Sequence, residues 1–81
     1  MNHWNYRVIR GKLSGRDILG IHEVYYDDDD EIMTYTEVPE EWVTLEECNN
    51  DETKALESLQ KTLEWKLQAI KSPILSENDV T

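Results

Sequence analysis

The stretch Ile18-Leu19-Gly20-Ile21-His22-Glu23-Val24-Tyr25-Tyr26, closed by Asp27-Asp28-Asp29-Asp30, decides how this chain folds. β-Branched and aromatic residues fill it and a charged turn ends it, which predicts a central strand. Leu19, Ile21 and Tyr25 fall on one alternating face and Ile18, Val24 and Tyr26 on the other. Both faces are therefore apolar, and a strand with one wetted face would not be. A single helix covers one face of a small sheet, so the pattern implies uncovered apolar surface or a partner that buries it.

Upstream, Trp4 to Arg10 alternates Trp4, Tyr6 and Val8 with Asn5 and Arg7, which predicts a half-buried strand. Gly11-Lys12-Leu13-Ser14-Gly15 follows, and its two glycines and serine predict a hairpin connection. Downstream, the aspartates make a turn by composition. A third strand is expected over Glu31 to Val38, with Ile32, Thr34, Thr36 and Val38 facing one way and Met33, Tyr35 and Glu37 the other; Pro39 ends it.

In residues 39–50, Trp42, Val43 and Leu45 are compatible with a short fourth strand or a helical turn, and the preferred expectation is an irregular connection that tucks Trp42 into the domain edge. A helix is predicted from about Asp51 to Lys71, capped by Asn49 or Asn50, with Glu52 in the capping-box position relative to Asn49. Leu56, Leu59, Leu63, Leu67 and Ile70 form one stripe, the expected sheet-packing face. Pro73 marks the stop. Ile74 and Leu75 are expected to fold back on the core, with 76–81 a flexible tail. The expectation is one α+β domain over 1–75: a three-stranded antiparallel sheet (β-β-β) followed by one long C-terminal helix packed on one face.

At 81 residues the chain carries a formal charge of −10, unevenly distributed. Residues 1–22 hold Arg7, Arg10, Lys12 and Arg16 against Asp17 alone, whereas residues 23–52 hold thirteen acids and no Lys or Arg. Direct nucleic-acid binding needs a basic patch, so this distribution argues against it. No apolar run approaches bilayer length and the N-terminus lacks a basic-then-apolar leader pattern, so a cytoplasmic protein with no membrane contact is expected. Cys48 is the single cysteine and reads as a free thiol.

Asp27 to Glu31 supplies hard oxygen ligands, but Ile32 and Val38 stand where a calcium loop needs Gly and a bidentate Glu. No metal or other cofactor is expected. His22 lies mid-strand with Glu23 beside it, and adjacent strand residues point to opposite faces, so the two cannot act as an acid–base pair. No catalytic residues are identified and the chain is read as a non-enzyme. What the acids offer instead is an electronegative surface of Asp27, Asp28, Asp29, Asp30, Glu31, Glu37, Glu40, Glu41, Glu46 and Glu47 that could occupy a basic site on a protein partner. Trp42 and Trp65 are candidate apolar contacts beside it. Trp65 lies about half a turn from the leucine stripe, among Ser58, Lys61, Thr62, Ala69 and Ser72.

Three pieces of the chain, Trp4-Asn5-Tyr6-Arg7-Val8-Ile9, Ile21-His22-Glu23-Val24-Tyr25-Tyr26-Asp27 and the leucine helix ending Ser72-Pro73-Ile74-Leu75, resemble a group of small uncharacterised bacterial and phage proteins. The resemblance implies no activity. This chain departs from it over 39–53, which is longer and more acidic, and at Trp65, where an aliphatic residue is usual. In order of elements the chain is also similar to HicB-type antitoxin domains, without their motifs, and in size and acidity to phage-encoded anti-CRISPR inhibitors. The expected function is a non-enzymatic interaction module, of the phage-inhibitor kind, that occludes a basic nucleic-acid-binding site on a protein partner with the acidic segment 27–47, Trp65 or the open sheet face adding apolar contact. The alternative is an antitoxin-like or regulatory homodimer whose open sheet face is the seam.

Overall fold

The computed structural model of the chain describes residues 3–79. Strand β1 (His3–Leu13) turns at Ser14 and Gly15, both at positive φ, into β2 (Arg16–Tyr26). The hairpin is in register over its whole length, from His3 opposite Tyr26 to Leu13 opposite Arg16. The other side of β2 is shared by two short antiparallel strands laid end to end. β3 (Ile32–Tyr35) pairs with Val24 to Tyr26, and β4 (Glu41–Thr44) pairs with Ile18 to Ile21.

The expected three strands are thus four, and residues 39–50 are more regular than their composition suggests. Val43 lies opposite Leu19, so the chain after Pro39 regains the ladder, and a 3-10 turn over Leu45–Cys48 follows at once. The third strand is shorter than Glu31 to Val38. A register shift between Tyr25 and Tyr26 leaves Ile32 opposite Tyr26 and Tyr35 opposite Val24, placing Ile32 and Tyr35 on one face against the simple alternation.

Helix α1 (Glu52–Lys71) starts at Asp51, whose carboxylate accepts from the amides of Thr53 (2.9 Å) and Lys54 (3.2 Å). Asn49 and Asn50 are not the caps. They take left-handed conformations at the exit of the 3-10 turn, which asparagine tolerates better than most residues. The helix packs on the sheet face bearing Leu19, Ile21 and Val43, and the core is Leu19, Leu45, Ala55 and Leu59, with Ile21, Val43 and Cys48 against it.

Of the leucine stripe only Leu59 is buried. Ala55 and Leu59 are buried, but Leu56, Leu63 and Leu67 are half-exposed and Ile70 is 80% exposed. Ile74 and Leu75 do not fold back; Ile74 is 99% exposed. Beyond them, Glu77–Asp79 makes a further 3-10 turn in which Asp79 accepts from the amide of Ser76 at 2.9 Å, so the expected tail is locally structured there. Residues 80–81 of that tail lie outside the described residues.

The far face of β2 is partly covered by the chain itself. The segment between β3 and β4 bows over it, and Pro39 is buried against Gly20. His22 is buried there too. Its Nδ1 donates to the Thr36 carbonyl at 2.7 Å, which fixes the tautomer because a carbonyl only accepts, and Tyr35 meets the ring edge-on.

Candidate interaction site

The predicted acidic residues occupy several places. Asp27 to Asp30 form a tight turn beyond the Tyr26 end of β2. The Asp27 carboxylate accepts from the amides of Asp29 (2.8 Å) and Glu31 (3.0 Å), so it holds the turn together. Asp28, Asp29 and Glu31 are exposed, and Asp30 lies 3.4 Å from Nε2 of His3. Glu46 and Glu47 sit in the 3-10 turn toward the opposite end of β2, about 25 Å away at strand rise. Glu37 lines the far face beside His22 and Pro39, whereas Glu41 lies on the helix side and pairs with Lys66.

No single strip collects these carboxylates, because the turn, the bowed segment and the 3-10 turn point them to both ends and both faces of the sheet. The two tryptophans also part company. Trp42 is opposite Gly20 and half-exposed on the face away from the helix, on an outer strand rather than tucked in. Trp65 is 65% exposed on the helix, with Nζ of Lys61 at 5.8 Å from its ring centroid. Among the described residues, no three His, Cys, Asp or Glu side chains gather as a metal site.

What the fold does assemble is a patch on the helix side of the hairpin. The register sets Trp4 opposite Tyr25 and Tyr6 opposite Glu23. Trp4 meets Tyr6 edge-on, with centroids at 5.2 Å, and lies 6.4 Å from the Tyr25 ring. The Tyr25 hydroxyl donates to Oε2 of Glu23 at 2.8 Å. That hydrogen bond to the neutral phenol, aided by partial desolvation and the Glu23 charge, holds the Tyr25 pKa above the ordinary tyrosine value. The Glu40 carboxylate does the same to Tyr6. Two carboxylates therefore border three aromatic rings.

The patch is open although it shares a face with the helix. α1 lies over β4, the 3-10 turn and β2, leaving β1 uncovered, so Trp4, Tyr6 and Val8 are half-exposed. Between strand and helix runs a shallow groove of ≈ 360 Å³ lined by Tyr6, Ile21, Glu40, Glu41 and Leu63. Alongside lies the outer edge of β1, which pairs with no strand among the described residues and presents a row of backbone donors and acceptors. The Trp4-Tyr6-Val8 alternation was visible in sequence. Tyr25, Glu23 and Glu40 join it only through the hairpin register and the path of the β3–β4 segment.

No protein-family model, curated protein or solved structure matches the chain. No helix among the described residues is long and apolar enough to cross a membrane.

Proposed function

We propose that this protein is a non-catalytic interaction module that takes a basic, extended segment of a protein partner through the Trp4, Tyr6, Tyr25, Glu23 and Glu40 patch and the adjoining edge of β1. The observation that carries this reading is the coincidence of two binding features on one strand. Aromatic faces bordered by carboxylates attract Lys and Arg side chains, through ring quadrupoles as well as charge. An unpaired edge accepts an added strand by main-chain hydrogen bonds, with alternate side chains of that strand falling on the patch.

A basic partner is also what the net charge favours, but the contact is a compact patch. A nucleic-acid-mimicking strip over 27–47 would need contiguous carboxylates, and Glu41 is neutralised by Lys66 while Glu37 lies on the other face.

A peptide alternating arginine and valine tests the reading, followed by fluorescence of a chain in which Trp42→Phe and Trp65→Phe leave Trp4 as sole reporter. We expect salt-sensitive binding that Glu23→Gln with Glu40→Gln weakens about tenfold, the equivalent of about 1.4 kcal/mol. Equal binding of the same peptide with glutamate in place of arginine would overturn it.

A further inference from the structure

We infer that the basic strand received by this patch is β1 of a second copy, paired antiparallel across a two-fold axis that passes beside Val8. The inference rests on the interaction reading above and names its partner. Three observations carry it.

The first is charge complementarity within the strand. On its helix-side face β1 runs Trp4, Tyr6, Val8, Arg10, Lys12, aromatic and bordered by carboxylates at one end, cationic at the other. An antiparallel copy brings the cationic half of each strand onto the aromatic half of the other. Val8 is the midpoint of His3–Leu13, so full overlap sets Val8 against its own copy. It also sets Tyr6 against Arg10 and Trp4 against Lys12, at the ~5 Å spacing of cross-strand neighbours. On the opposite face the same register meets Arg7 with Ile9, leaving no like charges directly opposite. A shift of two residues either way keeps the faces aligned but leaves one cation–ring pairing where full overlap has two.

The second is the state of those cations. Arg10 and Lys12 already meet Glu52 and Asp17 of their own chain at 3.6 Å, in exposed pairs. The seam therefore does not gather six uncompensated positive charges, and such exposed pairs are weak enough for the cations to turn onto a ring.

The third is area. The chain exposes 6665 Å², whereas a compact monomer of its mass exposes about 5,100 Å². Its radius of gyration is 16.1 Å against about 12 Å for a compact chain of this length. A standard interface takes about 800 Å² from each partner, and the excess is about twice that. The surplus includes the half-exposed Trp4, Tyr6 and Val8 and the outer half of the helix.

Sedimentation equilibrium of the full chain tests the inference. We expect twice the chain mass, and the chain mass for Val8→Lys, which sets four cations around the axis at a half-exposed position while leaving circular dichroism unchanged. In a Cys48→Ser chain, Val8→Cys should cross-link to itself with a short thiol-reactive reagent. Tyr6→Cys should cross-link to Arg10→Cys when the two are mixed, and neither to itself. A wild-type chain that sediments alone, a dimer that survives Val8→Lys, or cross-linking in another register overturns the second-copy inference. The arginine–valine peptide separates this from failure of the parent reading: a monomer that binds the peptide keeps the patch and discards the second copy, and a monomer that does not bind it discards both.

Discussion

At Gly20 the far face of the sheet admits no side chain. A Cβ built there would stand 2.8 Å from Cβ of Pro39 and 3.1 Å from Nε2 of His22, whereas one at Gly11 meets nothing within 4 Å. Gly20→Ala is therefore expected to lower stability by about 1–3 kcal/mol through overpacking, and Gly11→Ala to leave it level or raise it by up to about 1 kcal/mol. Urea unfolding of both variants checks the contrast. The sequence reads Gly11 as part of the hairpin connection and Gly20 as part of a strand; that both lie in strands, and that Pro39 crosses only Gly20, comes from the fold. Tyr25 gives a second residue-scale expectation. Its neutral hydroxyl donates to Glu23 and its pKa is raised, so phenolate absorbance should appear at higher pH than for free tyrosine, and Glu23→Gln should bring it down. The unfolded chain releases that proton first, so this contribution to stability is full below about pH 10 and is lost as pH rises through the folded value. A Tyr25 midpoint unmoved by Glu23→Gln would remove the hydrogen bond from the account.

At the scale of elements, the strong patterns were legible and the weak ones were not. The hairpin follows from two β-rich runs around a glycine-serine turn, and the helix from its stripe and Pro73, although its cap is Asp51 and not the asparagines before it. The short strand β4 is one of the readings open for Trp42, Val43 and Leu45 but not the preferred one, because they lie between glutamates, and only pairing to β2 makes a strand of Glu41–Thr44. The leucine stripe misled in the other direction. Its periodicity marks a helix face but not how much of that face meets the sheet, and here the sheet ends before the helix does. Hydrogen exchange should report the division. Amides over Ala55 to Leu63 are expected to be well protected, and those over Leu67 to Lys71 to exchange faster, because Leu67 and Ile70 have little packed against them. Uniform protection to Lys71 would mean that something covers the outer half.

Taken whole, the molecule measures 49 Å along its longest axis and carries a sheet with a helix laid off-centre and one full-length strand left at the rim. The net charge, legible from the sequence alone, suggested an acidic surface. The tertiary arrangement divides that surface among both ends and faces and concentrates the recognisable chemistry at β1, which looked like the least acidic part of the chain. Sequence could not reveal this, because the patch is built from cross-strand neighbours whose register no local pattern states. The most direct test is residue-resolved hydrogen exchange along β1 of the wild-type chain. Alternate amides of that strand point toward β2 and the others point outward. We expect the outward amides between Trp4 and Lys12 to be protected to the same degree as the inward ones, and to lose that protection in Val8→Lys. Alternation in the wild-type strand, with every outward amide exchanging as an exposed one does, would contradict the claim that β1 is a paired interface.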